Sequence, residues 1–153
     1  IEFARNKLKI KNATSSEFDK KGISTVGLMD EWDKDGKKIK GTDKDLGGTM
    51  RLGSYDAKLK ENTLIRKIYK SKIIKERHRH RYEVNISYKE KFEKNGLIFS
   101  GLSPDNKLPE IVELKNHPWF VGVQFHPEFK SRPFNPHPLF SSFINAAKKK
   151  YAK

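Results

Sequence analysis

Ile1, Ala4 and Leu8 in "IEFARNKLKI" lie on one helical face, with no capping residue ahead of them. The stretch reads as a helix entered partway along. "KNATSSEF" is polar and turn-forming, which predicts a loop. "ISTVGLMDEW" predicts a strand, and the charged, glycine-containing "DKDGKKIKGTDKDLGG" predicts a mobile connection. Alternation resumes at Met50 and Leu52, making "TMRLGSYDAKL" a strand, and Leu64, Ile65 and Ile68 give "NTLIRKIY" the spacing of a short helix. Polar residues dominate the middle of "IIKERHRHRYEVN", which is assigned as extended. "SYKEKFEKNG" predicts a helix opened by a capping box between Ser87 and Glu90 and stopped by Gly96. "LIFSGLS", "PEIVEL" and "PWFVGVQF" read as strands, the first two joined by the turn "PDNK". Pro138 suits the first position of a last helix, "LFSSFINAAKKK", whose terminal lysines favour the helix dipole. Helices and strands alternate without internal repeats or a dividing linker, so residues 1–153 are expected to form one α/β or α+β domain.

Composition narrows the class. With 35% apolar and 34% charged residues, ten Phe and two Trp, the chain has the means to bury a core. No stretch is apolar for long enough to span a bilayer, and no signal-peptide pattern opens the chain. A first residue of Ile implies a natural start further upstream. Cysteine is absent, which excludes disulfides, thiolate metal sites and a thiol nucleophile within these residues. The formal charge of +14 raises an anionic partner, nucleic acid included. Most of the excess is scattered lysine, however, the pattern of a solvated surface.

Three stretches carry candidate chemistry. In "GVQFHPEF" His126 ends an apolar run, Pro127 stops strand pairing and Glu128 follows two residues on. A histidine at the carboxyl end of a strand can reach a ligand crevice, and a nearby glutamate can fix its tautomer and stabilise its protonated form. An ordinary strand exit accounts for the same residues, and a general base needs a nucleophile that this sequence lacks. "ERHRHRYEVN" alternates Arg77, Arg79 and Arg81 with His78 and His80, so that an extended backbone turns the arginines to one side and the histidines to the other. Guanidinium forks suit a carboxylate, a nucleotide or a nucleic-acid backbone; paired exposure to solvent suits them equally. Without cysteine, and with the other histidines far away in sequence, no metal site is expected. "DLGGTMRLG" matches neither a phosphate loop nor a dinucleotide motif and reads as a lid or tight turn. "SRPFNPHP", stiffened by three prolines, reads as an ordered surface loop close behind "HPEF".

Together, "SSEF", "DLGGTMRLG", "ERHRHRYEVN", "PEIVEL", "HPWFVGVQFHPEF", "SRP" and "HPLF" resemble, in order and spacing, the glutamine amidotransferase domain of CTP synthases. "FHPE" is shared with many class I amidotransferases; "RHRHRYEVN" and the tail are particular to the CTP synthases. The resemblance implies an α/β fold: the C-terminal portion of a class I glutamine amidotransferase domain, three-layered, with a mixed central sheet flanked by helices. The N-terminal strands and the nucleophile elbow would be absent, the chain beginning just after the cysteine. It implies that His126 is the catalytic base and Glu128 its orienter, that Glu17 holds the α-ammonium of L-glutamine and that Arg81 pairs with its α-carboxylate. Ammonia would pass to a synthetase domain of the same enzyme, where ATP and Mg2+ activate UTP for conversion to CTP. GTP would be the allosteric activator, answered by the lid before "TMRLG". A cytoplasmic enzyme, homo-oligomeric and tetrameric in the family, follows from the same resemblance, as does an inactive fragment when these residues stand alone. Two alternatives remain at this stage: a basic nucleic-acid-binding module, and a class I amidotransferase serving another ammonia acceptor.

Overall fold

The computed structural model describes residues 1–28 and 50–151. Its strands divide between two sheets. The smaller has the order β1 (Ala13–Ser15), β2 (Ile23–Leu28), β5 (Tyr82–Val84), with β1 parallel to β2 and β5 antiparallel to it. The larger is antiparallel throughout, in the order β4 (Ile73–His80), β3 (Arg51–Leu59), β6 (Leu97–Leu102), β7 (Pro109–Leu114), β8 (Val121–Val123). The expected α/β class holds; among the described residues the parallel pairing lies between β1 and β2 in the smaller sheet, and the larger sheet is antiparallel.

Alternation along the strands of the larger sheet builds a core on each face. Ala57, Leu59, Ile74, Ile111 and Phe125 pack with Ile65 of α2 (Leu64–Tyr69) and Leu139 of α4 (Pro138–Tyr151). On the other face Leu97 and Phe99 pack with Ala4 of α1 (Glu2–Asn6), Phe92 of α3 (Lys89–Lys94) and Ala13 of β1. Ile111 and Val112, adjacent on β7, serve opposite cores, as the twofold period of a strand requires. The larger sheet is therefore the middle of three layers, and each face removes apolar side chains from water. Gly101 permits this closeness at one point: a Cβ there would lie 2.8 Å from the Ile111 side chain.

Several local expectations need correcting. The helix expected across "IEFARNKLKI" is five residues long. "KNATSSEF" contains β1, whose three small residues lack alternation but pair with the strand beginning at Ile23. Ser87 does not form a capping box with Glu90. Asn85 takes over: its Oδ1 accepts from the Ser87 backbone N–H at 2.9 Å and the Ser87 hydroxyl at 2.6 Å, capping a 3₁₀ turn that leads into α3. An Asn side chain two residues back reaches the amide more directly than the capping box does, and it occupies the Ser87 hydroxyl. Gly96 has φ +93° after α3, the left-handed conformation expected of a helix stop.

The α2 terminus depends on a residue far away in sequence. Thr63 Oγ1 accepts from the Arg66 N–H at 3.3 Å, while Glu113 of β7 accepts from the Leu64 and Ile65 N–H groups at 2.9 and 3.1 Å. A buried carboxylate on free amides at a helix start satisfies both partners. Glu113→Ala should therefore cost about 2 kcal/mol, read as a lower denaturation midpoint, with Glu113→Gln losing less because one acceptor oxygen survives.

Candidate active site

His126 follows β8 in extended backbone (φ −111°, ψ 92°), and Pro127 begins a 3₁₀ turn through Lys130. The His126 N–H donates to the Arg77 carbonyl of β4 at 2.9 Å, anchoring the histidine to the neighbouring strand. Its Nδ1 lies 2.7 Å from Glu128 Oε1, and its ring stacks on Phe129 at 5.0 Å. Both side chains are partly open to solvent, at 37% for His126 and 55% for Glu128. Glu128 is held below the usual carboxylate range by its own backbone N–H and then by His126. The pair is therefore an ionised acid on one imidazole nitrogen, with Nε2 as the nitrogen left for a reacting group.

The turn is tied to β4 behind it. Lys130 Nζ lies 3.5 Å from Glu76 and donates to the Lys75 carbonyl. Glu76 Oε1 also meets His137 Nε2 at 3.0 Å and accepts from the Tyr69 hydroxyl at 3.0 Å. Burial works against the Glu76 charge, but His137, Lys130 and Tyr69 outweigh it and keep its pKa below the ordinary value. His137 in turn donates its backbone N–H to Ser131 Oγ at 3.1 Å, so "SRPFNPHP" is an ordered loop, as expected.

The arginine row divides. Arg77 and Arg79 point outward from β4 while His78 is buried, as alternation predicts. Arg81 departs from the row: it sits at the bend where the chain leaves β4 for β5, half-buried, with one terminal nitrogen enclosed and without a hydrogen-bond partner. Such a cation suits a charged ligand oxygen. Glu17 is exposed just beyond β1, its N–H on Ser15 Oγ at 3.3 Å. Because β1 runs parallel to β2 and Leu28 pairs with Tyr82, Glu17 and Arg81 belong to the same end of the smaller sheet. His126 and Glu128 touch; neither Glu17 nor Arg81 contacts them. Most of the expected lid falls within residues 29–49, outside the described residues.

Sequence reasoning missed the buried network beneath the site. Arg51, at the start of β3, bonds Glu83 at 3.3 Å and Glu110 at 2.7 Å. Gln124 donates to Glu83 at 2.8 Å and to the Tyr82 carbonyl at 3.2 Å. His78 Nδ1 meets His80 Nε2 at 2.9 Å, and His80 Nδ1 meets the Tyr82 carbonyl at 3.1 Å. Burial, with Arg51 next, pushes His78 down to about 3 and His80 to about 4. Burial pushes Glu110 up to about 7 against the opposing pull of Arg51. The two histidines are thus neutral and engaged with each other. Among the described residues no group of three His, Cys, Asp or Glu side chains is arranged to hold a metal. The only sequence trace of this network is Gln124 standing two residues before His126.

Comparison with known proteins gives a consistent family. The family model for Glutamine amidotransferase class-I matches residues 19–146. A CTP synthase of Pelagibacter ubique is 83% identical over 148 residues, covering 97% of this chain and 28% of that protein. A CTP synthase of Hyphomonas neptunium is 62% identical over 150 residues, again 97% and 28%. The solved glutaminase domain of Trypanosoma brucei CTPS with bound acivicin superposes with a TM-score of 0.82 at 39% identity, covering 97% of this chain and 55% of that one. The chain thus spans little more than a quarter of the length of these two relatives.

The network makes stability depend on pH with opposing signs. His78 and His80 titrate at about 6.5 when unfolded but at about 3 and about 4 when folded, so stability falls as pH drops below about 6.5. Glu110 rises from 4.5 to about 7, so its contribution is present below 4.5 and lost as pH rises through 7. Glu110→Gln removes the second effect, while burial and the Arg51 charge still act on His78, whose Nε2 lies 3.4 Å from Glu110, and on His80. Its denaturation midpoint should climb more steeply between pH 4.5 and 6.5 than that of the unmodified protein; parallel slopes would show Glu110 to be ionised throughout.

The fold and the matched residues agree, and the chain belongs to the class I glutamine amidotransferase family.

Proposed function

We propose that this chain is part of the glutaminase domain of a CTP synthase, and that it supplies the base, its orienter and the amino-acid clamp for glutamine hydrolysis. The observation that carries the reading is the 2.7 Å contact between His126 Nδ1 and Glu128, which leaves Nε2 for a nucleophile. That nucleophile is a cysteine from outside these residues, since the sequence has none. His126 takes the thiol proton as sulfur attacks the side-chain amide carbon of glutamine. It returns the proton to the leaving nitrogen, so ammonia departs and a thioester forms. Water, deprotonated by the same histidine, then releases glutamate and the thiol. Glu17 receives the α-ammonium and Arg81 the α-carboxylate, an anion and a fork-shaped cation being what a free amino acid requires.

In the whole enzyme the ammonia aminates UTP to CTP in a synthetase domain that consumes ATP with Mg2+, under GTP activation. No residue of this chain is assigned to those groups. A homo-oligomeric, tetrameric and cytoplasmic enzyme belongs to the same proposal. The similarity to CTP synthases favours it over another ammonia acceptor, and over nucleic acid as the partner of Arg77 and Arg79.

In the complete enzyme His126→Ala should lower glutamine-dependent CTP formation by about 10²–10⁴-fold while leaving synthesis from free ammonia intact. Glu128→Ala should cost a smaller but substantial share, because the orienter acts through the base. Steady-state rates with each nitrogen source provide the check, and equal loss of both activities in the His126 variant would remove the assignment.

A further inference from the structure

The proposed site draws on both sheets. Glu17 flanks the smaller sheet, Arg81 sits at the bend between β4 of the larger sheet and β5 of the smaller, and His126 leaves the larger sheet with its N–H on the Arg77 carbonyl of β4. Glutamine has a fixed length between its α-carboxylate and its side-chain amide. Turnover therefore depends on how rigidly the two sheets are held at this end, and a misplacement of about 1 Å can cost about 10²-fold.

Gln124 bridges them, together with Arg51 and His80. The Gln124 backbone N–H donates to the Glu110 carbonyl of β7 at 2.9 Å, seating it in the larger sheet. Its amide nitrogen donates to the carbonyl of Tyr82, the residue after Arg81, at 3.2 Å and to Glu83 at 2.8 Å, both on β5. The ring closes through Arg51, which bonds Glu83 at 3.3 Å and Glu110 at 2.7 Å. Both amide hydrogens of Gln124 are thus directed at the segment carrying Arg81, two residues before His126. Glu83 and Glu110 are almost fully buried, at 0% and 1% exposure, so water does not substitute readily for a lost bond.

We propose that Gln124 is a positioning residue for glutamine turnover, setting the spacing between Arg81 and His126 by bridging the two sheets. The proposal rests on the functional reading above. It assigns Gln124 no contact with substrate and no proton transfer.

The test compares Gln124→Met, Arg81→Ala and the double variant in the complete enzyme, with kcat and KM for glutamine and CTP formation from ammonia measured for each. Methionine keeps the length and volume of the side chain while removing both donors. Gln124→Met should raise KM by up to about 10²-fold, the scale of a misplacement of about 1 Å, with ammonia-driven synthesis unchanged. Since it acts through Arg81, the double variant should be no worse than Arg81→Ala alone. Unchanged KM in Gln124→Met, or a KM effect that multiplies in full with that of Arg81→Ala, overturns the positioning role. A merely structural role would lower kcat with the fraction folded and leave KM in place. If Arg81→Ala does not itself raise KM, the carboxylate role of Arg81 falls and the positioning role falls with it; if only Gln124→Met fails to raise it, the functional reading stands. Should Gln124→Met not fold, Gln124→Asn, an amide one methylene short of the Tyr82 carbonyl, makes the same comparison.

Discussion

Arg51 is one buried cation shared by two buried carboxylates, and the arrangement of the two sheets depends on it. Glu83 belongs to the smaller sheet and Glu110 to the larger, so the guanidinium must face both at once. Burying three ionisable groups is costly, and the cost is offset only while each has a partner in good geometry. A fork-shaped donor with several N–H groups meets that demand where a lysine would not. Burial pushes Glu110 upward, Arg51 pulls against it, and the second carboxylate, Glu83, adds a smaller push upward. The network joins β3, β5 and β7 at one end of the molecule, next to the bend that presents Arg81.

A second buried carboxylate acts further along the same face of β4. Glu76 gathers Tyr69, His137 and Lys130, and so ties α2, the start of α4 and the turn bearing Glu128 to a single strand. β4 therefore presents alternating faces with separate tasks. Glu76 and His78 point inward to polar clusters, while Arg77 and Arg79 point outward. The backbone between them holds His126 through the Arg77 carbonyl. The polar run that made "ERHRHRYEVN" hard to read as a strand is polar for this reason: its inward side is lined with partners rather than with aliphatic core.

What was legible in the sequence was local. Gly96 and Pro138 marked helix ends because stops and first-turn positions are decided within a few residues. The β6–β7 hairpin followed from alternation and its turn, and His-x-Glu spacing foretold a contact that Pro127 and a 3₁₀ turn bring to 2.7 Å. What was not legible depends on separation. β1 is recognisable only through its pairing with Ile23 onward, and the cap on Ser87 went to Asn85 because a local competitor had better reach. Arg51 and Glu110 are 59 residues apart, and neither carries a mark of the other. Arg81 looked like one more member of an arginine row; only the bend between strands separates it from Arg77 and Arg79.

The histidines show how environment, more than residue type, favours one of them as the proposed base. His78 and His80 lie close to the site, but burial and the Arg51 charge hold them neutral far below the pH at which imidazole normally shuttles protons, and their nitrogens are directed at one another. His137 is bound to a buried carboxylate and a tyrosine hydroxyl. His126 alone of these combines a partly open ring, one nitrogen committed to an ionised acid and the other left toward the site. Chemistry that must both accept and return a proton needs a group whose charged form is stabilised yet reachable. In this cluster the fold withholds that combination from three histidines and gives it to the fourth, at the strand end beyond which Pro127 ends the pairing.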